Sequence, residues 1–179
     1  MIRQLAFDLP GGEAMTRADF LVAPSNALAL GMIDGVAGWP QGRMVLVGPE
    51  GAGKTHLAQV WAAETTASLI PAAGLASARI DALARGPVVL DDADRLAGDG
   101  AAEAALFHLL NFMGSANPLL MTARTPPRDW GLRLPDLVSR LQAAPVAQLG
   151  APDDALLSAV LVKLFADRQV TVAANLIPF

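Results

Sequence analysis

The 179-residue sequence contains no cysteine. This absence excludes disulfides, thiol nucleophiles and cysteine-ligated zinc, and it fits a reducing compartment such as the cytoplasm. No apolar run approaches the roughly 18 residues of a membrane span, and the first residues, Met1 to Gln4, lack the apolar stretch of a signal peptide. We therefore expect a soluble cytoplasmic protein without a membrane partner.

Lysine is almost as scarce, because it occurs only at Lys54 and Lys163, and the formal net charge is −4. Proteins that grip the phosphate backbone of nucleic acids need clustered basic side chains, so we expect no strong direct binding to DNA. What the chain has in quantity is apolar residues, which make up 53% of the sequence. That content is enough to bury a full core, and the length suggests one domain with an appendage.

Residues 48–55 read Gly-Pro-Glu-Gly-Ala-Gly-Lys-Thr and directly follow an apolar run, 44–47, that is typical of a buried strand. This order of residues matches the phosphate-binding loop, in which glycines let backbone N–H groups point at phosphate oxygens. The alternative, a glycine-rich turn without a ligand, fits the strand and helix around it less well. We predict a site for ATP or ADP with Mg²⁺, formed by these residues: Gly48, Gly51, Gly53, Lys54, Thr55 and His56. Within it Lys54 is expected to reach the β- and γ-phosphates, and the Thr55 hydroxyl to ligate the metal.

Apolar periodicity predicts five strands, at 44–47, 68–71, 87–90, 118–122 and 145–149. It predicts helices at about 25–36, 54–65, 75–85, 101–114 and 153–168. Alternation of strands and helices is typical of an α/β fold with a parallel sheet between helices. In the helix at 101–114, Glu103 and Asn111 are expected to lie outside the apolar stripe.

Two carboxylates follow the third strand. Asp91 is expected to emerge at the carboxyl edge of the sheet, where α/β folds bind ligands, and to hold Mg²⁺. Asp92, which faces differently, is the candidate to orient or deprotonate an attacking water. The alternative for both residues is a solvated turn or a helix cap.

Two further polar residues are candidates for the same chemistry. Thr122, at the end of the fourth strand, is a candidate sensor of the γ-phosphate, although a strand-end hydroxyl can also be satisfied by the backbone. Arg140, in a short helical stretch, is a candidate to cross a subunit boundary and stabilise charge on a neighbour's γ-phosphate. The alternative is an ordinary surface arginine.

Together these segments resemble the AAA+ module of the DnaA-like family of bacterial replication proteins. The likeness includes 23–28, similar to the family's N-terminal box, 125–127, similar to its sensor turn, and 134–141, similar to the box that carries its arginine finger. It covers about residues 19–179. The resemblance implies an AAA+ nucleotide-binding domain at 19–150 and the start of a helical lid at 151–179, after a flexible tail at 1–18.

Two features point to the regulatory, Hda-type members of the family. An initiator carries a long helical insertion between its second strand and the strand that ends in two aspartates. Here only residues 72–86 lie between these two strands. In addition, Gln4, Leu5, Phe7 and Leu9 resemble a peptide that docks on the replicative sliding clamp, with apolar side chains in a groove.

The resemblance therefore implies a regulator that binds the clamp (the β subunit of DNA polymerase III) and is associated with the nucleoid through it. Such a regulator presents Arg140 to ATP held by the initiator DnaA and promotes its hydrolysis, so that initiation is negatively regulated. Open alternatives are an autonomous ATPase such as a helicase loader and an ADP-bound adaptor that does not hydrolyse nucleotide. Self-association into a homo-oligomer is also open.

Overall fold

The computed structural model describes Arg17 and residues 20–167. These residues form one five-stranded sheet with the order β2-β3-β4-β1-β5, in which every pair of neighbouring strands is parallel. The strands are β1 (Arg43–Val47), β2 (Ser68–Pro71), β3 (Val88–Asp91), β4 (Leu119–Ala123) and β5 (Val146–Gln148). The predicted α/β class with a five-stranded parallel sheet is confirmed. The predicted clamp-docking residues 4–9 and the segment 168–179 lie outside the described residues.

Helices cover both faces of the sheet. They are α1 (Ala27–Asp34), α2 (Lys54–Thr65), α3 (Ile80–Leu83), α4 (Gly100–Phe112), α5 (Pro135–Gln142) and α6 (Asp154–Asp167). In the part of the chain that the structure describes, no helix is long and apolar enough to cross a membrane.

The helix predicted at about 75–85 is wrong over most of its length. A 3-10 turn occupies Ala72–Ser77, and only the four residues of α3 are α-helical. Between the two, Ala78 and Arg79 are extended, with ψ angles of 149° and 93°. The alanine-rich pattern of this stretch hides that break, because alanine suits a helix without fixing where one ends.

The core has two layers because side chains of a strand alternate between the faces of a sheet. In β1, Met44 and Leu46 join the apolar cluster that includes residues of α1 and α2. Val45 and Val47 join the other cluster, which includes residues of α4 and α5. All five residues of β1 are buried, as expected of a parallel strand covered on both sides.

Glu103 does not lie outside the apolar face of α4, so that sequence expectation is wrong. The residue is 0% exposed, and its carboxylate accepts hydrogen bonds from three backbone N–H groups. The donors are Gly98 at 3.1 Å, Arg133 at 2.9 Å and Leu134 at 3.1 Å. Because a buried carboxylate is costly unless it is hydrogen-bonded, these distant donors explain the position, and spacing within the helix could not reveal them.

The order of the strands determines where the candidate site lies. Since β4 lies between β1 and β3, the loops that follow these three strands meet at one edge of the sheet. The register pairs Val47 with Ala123 and Leu90 with Met121, so the strands end nearly level. Such an edge is where open α/β sheets bind ligands.

Candidate functional site

The loop between β1 and α2 has the backbone that its glycines permit. Gly51 and Gly53 have φ angles of 78° and 88°, in the left-handed region that other residues avoid. At Gly48 the constraint is space, because a Cβ there would lie 2.7 Å from the carbonyl oxygen of Leu149. The loop therefore turns back on itself and delivers the chain into the N-terminus of α2.

Lys54, the first residue of α2, is buried, with 8% of its surface exposed. Its Nζ donates to the carbonyl oxygens of Gly48 at 2.9 Å and Pro49 at 2.8 Å. The ammonium group thus lies against the glycine loop that precedes α2. A cation held beside the N-terminus of a helix forms a site that attracts anions.

Thr55, Asp91 and Thr122 come together at the carboxyl edge of the sheet. The Thr55 hydroxyl donates to the two carboxylate oxygens of Asp91 at 3.3 and 3.2 Å. Thr122, which is completely buried, donates to Asp91 Oδ1 at 2.5 Å. The Thr122 hydroxyl also accepts the backbone N–H of Asp92 at 2.9 Å. One hydroxyl therefore fixes the orientation of Asp91 and the chain that follows it.

The donor set around Asp91 suits Mg²⁺. A hydroxyl and a carboxylate oxygen are ligands that this cation takes, and it typically uses one or two carboxylates together with waters and substrate phosphates. Within the described residues there is no group of three or more His, Asp or Glu side chains that could hold a metal ion without such additional ligands. The residues present fit a metal that arrives with a phosphate.

Asp92 has an unusual backbone and a charged neighbour. Its φ angle of 56° places a non-glycine residue in the left-handed region. Its Oδ2 forms an ion pair with Arg95, whose Nε lies 3.2 Å away. The side chain predicted to activate water is therefore engaged in an ion pair.

Part of this set lines a cleft of about 340 Å³, a volume within the usual range of small-molecule sites. The predicted site residues Gly48, Asp91 and Thr122 are not among its lining residues. The lining residues are Glu50, Gly51, Gly53, Lys54, Thr55, His56, Asp92, Arg95 and Arg124. Of these, Glu50, Arg95 and Arg124 were not predicted as site residues. Glu50 lies within the predicted phosphate-binding loop, Arg124 directly precedes the segment similar to the sensor turn, and Arg95 follows the third strand without a motif of its own.

His56 lies on the side of the loop that faces the segment before α1. Its ring meets the ring of Phe20 edge to face, with centroids 5.4 Å apart. Phe20 also approaches the loop itself, since a Cβ on Gly53 would lie 3.8 Å from its Cε2. Phe20 therefore packs beside the glycine loop, against His56.

Arg140 lies apart from this cleft, on α5. Its guanidinium donates to the side-chain oxygen of Asn111 at 2.6 Å and stacks over the ring of Phe107, 4.7 Å from the ring centroid. Both contacts are on α4. Arg140 is not one of the described residues that line the cleft.

A second arginine lies near Arg140 and was not singled out from the sequence. Arg43, at the start of β1, is 6% exposed, and its Nη2 donates to the carbonyl oxygen of Leu110 at 2.5 Å. Burial first, and then the charge of Arg140, lower the pKa of the Arg43 guanidinium. A cation at the C-terminal end of a helix interacts favourably with the exposed carbonyls there. Arg43 therefore stabilises the C-terminal end of α4.

Comparison with solved structures identifies the fold. The chain is similar to a DNA replication initiation factor (TM-score 0.76, 18% identity, covering 91% of this chain and 57% of that one). It is also similar to domain III of the Thermotoga maritima replication initiation protein DnaA (0.74, 20%, covering 94% and 80%). A third similar structure is AMPPCP-bound DnaA from Aquifex aeolicus (0.72, 19%, covering 93% and 59%). No family model matches the sequence.

At 18–20% identity these similarities establish the fold alone, which this chain shares with domain III of DnaA. The chain spans 57% of the length of the initiation factor, so activities of that whole protein do not transfer with the fold.

Proposed function

We propose that this protein is a nucleotide-binding AAA+ regulator of chromosomal replication initiation. In this proposal it docks on the sliding clamp and promotes hydrolysis of ATP held by the initiator DnaA. The observation that supports the proposal is that the cleft and Arg140 lie on different parts of the surface. The phosphate-type cleft contains Lys54, Thr55 and Asp92, whereas Arg140 is displayed on another surface by α4 and α5.

The proposed role of the cleft is to hold ATP or ADP. Backbone amides of the loop and Lys54 would bind the phosphates, and Thr55 and Asp91 would hold Mg²⁺, which neutralises phosphate charge when bound. The fit of the donor set and the similarity to nucleotide-bound DnaA structures support this assignment.

The proposed role of Arg140 is to act outside its own chain. A guanidinium that stacks on Phe107 and is held by Asn111 is pre-oriented, so less side-chain entropy is lost when it meets a partner's γ-phosphate. Docking of residues 4–9 on a clamp would concentrate the regulator on DNA without a basic surface of its own.

A second candidate is an adaptor that binds ADP and the clamp without promoting hydrolysis. The observation that fits it is the ion pair of Asp92 with Arg95, because it engages the carboxylate predicted to activate water in this chain's own cleft and so suits a site that holds nucleotide without hydrolysing it. This candidate needs no role for Arg140, so the two functions make opposite predictions for one substitution.

The test is the rate of ATP hydrolysis by DnaA in the presence of clamp, DNA and the intact chain. Arg140→Ala should abolish most of the stimulation, because an arginine in this role contributes ~10³–10⁵ in rate. Gln4→Ala should weaken stimulation at low clamp concentration and recover it at high concentration. The matched control is Arg79→Ala, which removes an exposed arginine that pairs with Asp81. If Arg140→Ala and Gln4→Ala both stimulate like the wild type, the regulatory function is wrong.

A further inference from the structure

Two arginines are held by adjacent residues at the end of α4. Arg43 Nη2 donates to the carbonyl oxygen of Leu110 at 2.5 Å, and Arg140 Nη1 donates to the side-chain oxygen of Asn111 at 2.6 Å. The Arg140 guanidinium also stacks on Phe107, one turn earlier in the helix. Because Arg43 begins β1 and Arg140 belongs to α5, distant parts of the chain bring two positive charges to one place.

No acid of the described residues balances these two charges. The ion pairs within that part of the chain include neither Arg43 nor Arg140. Asp136 is exposed and lies one turn before Arg140 on α5, but it does not pair with it. The two guanidinium groups are therefore held only by neutral partners, which are a carbonyl, an amide and an aromatic ring.

The charge of Arg43 is buried. The residue is 6% exposed, and its Nε and Nη1 are buried without a hydrogen-bond acceptor among the described residues. Burial first, and then the charge of Arg140, lower the pKa of Arg43, but a guanidinium in a protein keeps its proton. Since water does not reach these nitrogens, the charge of Arg43 is poorly screened and acts over a longer distance than an exposed charge.

Arg140 offers the accessible half of this pair. Its side chain is partly exposed, and only Nη1 is used in the hydrogen bond to Asn111. The other N–H groups of its guanidinium have no acceptor among the described residues, so they can donate to two oxygens of one anion. The unpaired nitrogens of Arg43 lie below the surface, so Arg43 contributes its charge to such a ligand rather than a contact.

We propose that Arg43 is a positioning residue that acts through Arg140 and makes this surface select a doubly charged phosphate over a singly charged carboxylate. Two cations without an acid match the two charges of a terminal phosphate, whereas the carboxylate of a partner's side chain balances only one. This inference rests on the proposed function for the source of the phosphate, a nucleotide held by the partner. Neither arginine lines the chain's own cleft.

The experiment follows the side-chain Nε–Hε signal of Arg140 by NMR in the intact chain, identified by its loss in Arg140→Lys. Inorganic phosphate and acetate are the probes, at about pH 8, where they carry close to two charges and one. The wild type should bind phosphate more tightly than acetate. Equal affinities would overturn the inference without any variant, and so would a signal that responds to neither anion.

Arg43→Gln removes the buried charge and keeps a donor for the Leu110 carbonyl. It should weaken acetate binding about three-fold and phosphate binding about ten-fold, because the lost attraction is proportional to the charge of the ligand. Arg43→Lys keeps the charge and should change either affinity less than about two-fold. The matched control is Arg79→Gln, which removes the same charge from an exposed arginine that pairs with Asp81.

Two results would contradict a role for the charge of Arg43. If Arg43→Gln weakens phosphate and acetate by the same factor, the substitution has displaced Arg140 and the arginine is merely structural. If Arg43→Lys loses the preference as fully as Arg43→Gln, the fork of donors matters and the charge does not. The backbone amide spectrum of each variant shows in the same samples whether the fold is retained.

A second readout separates this inference from the proposed function. In the assay of ATP hydrolysis by DnaA with clamp and DNA, Arg43→Gln should lower the stimulated rate about ten-fold and Arg43→Lys less than about two-fold. If the wild type does not stimulate hydrolysis, the proposed function fails, and the ratio of phosphate to acetate affinity still decides the role of Arg43. If the wild type stimulates and Arg43→Gln leaves that ratio unchanged, the proposed function stands and the role of Arg43 is wrong.

Discussion

The carboxylates of the cleft differ from that of Glu103, which joins α4 to the backbone of Gly98, Arg133 and Leu134. These three contacts form the Glu103 junction. In the cleft, Asp92 and Glu50 are partly or largely exposed, and their contacts with Arg95 and Arg124 are 3.2 and 3.3 Å long. The carboxylate of Glu103 is fully buried and accepts three backbone N–H groups at 2.9–3.1 Å. Exposed ion pairs of the first kind contribute little to stability, whereas removal of the second carboxylate breaks three hydrogen bonds to a charged acceptor.

The position of the junction explains why such a fixed contact exists. Gly98 follows the β3 loop, whereas Arg133 and Leu134 precede α5, the helix that carries Arg140. Glu103 joins these segments to α4. The position of α5, and of Arg140 on it, therefore depends on a buried contact that lies outside the cleft.

The largest effect on stability is expected from Glu103→Ala. This change removes three hydrogen bonds to a charged acceptor, each worth about 1 kcal/mol or more, so the free energy of unfolding should fall by about 3 kcal/mol. For a chain of this size the melting temperature should fall by about 6–12 °C. Thermal denaturation followed by circular dichroism measures it.

The control for this comparison is on the same helix. Asp99, the exposed N-cap of α4, accepts the N–H groups of Ala101 and Ala102 at 2.9 and 3.1 Å. Asp99→Ala should cost about 1 kcal/mol, the usual value of a cap. An equal loss for both variants would contradict the distinction between a buried junction and an exposed cap.

A smaller effect on stability is expected from a change at Thr122, the buried residue that contacts Asp91. Thr122→Val keeps the shape of the side chain but removes the donor to Asp91 and the acceptor for the Asp92 N–H. We expect a loss of about 1–2 kcal/mol in unfolding free energy and weaker Mg²⁺-dependent nucleotide binding, measured by denaturant titration and by nucleotide fluorescence.

Thr65→Val is the matched control for Thr122→Val. The Thr65 hydroxyl donates to Trp61 O within α2 at 2.7 Å, an oxygen that stays available to the helix, so the loss should be below about 0.5 kcal/mol. If Thr122→Val costs no more than this control, the buried hydroxyl does not organise Asp91.

Sequence patterns located the features that depend on neighbouring residues. The glycine loop follows a strand and opens a helix, and the strands lie within two residues of their predicted bounds. The meeting of Thr55 with Asp91 follows from the sheet, because parallel strands bring their carboxyl ends to one edge.

What the sequence did not reveal depends on residues far apart in the chain. Glu103 meets Arg133 and Leu134 across about thirty positions, and Arg140 meets Asn111 across about the same interval. The pairing of Glu50 with Arg124 likewise requires the three-dimensional position of two loops. Periodicity describes one helix at a time, so it assigned Glu103 to the solvent face.

The smallest predicted effect is the pH dependence of the junction. Burial raises the pKa of the Glu103 carboxyl, but hydrogen bonds from Arg133, Gly98 and Leu134 and the charge of Arg133 outweigh it and hold the pKa below the ordinary value of 4.5. Because the native pKa is the lower one, the stabilisation is complete well above pH 4.5 and is lost as the pH falls through the native pKa.

Glu103→Gln does not titrate at this position, so the comparison with the wild type isolates that ionisation. The difference in unfolding free energy between wild type and Glu103→Gln should therefore be largest near pH 7 and shrink toward pH 3, measured by denaturant titration at each pH. A difference that stays constant over this range would mean that the ionisation of Glu103 is not coupled to folding, and only a difference near zero throughout would mean that an amide oxygen suffices to hold α5 in place.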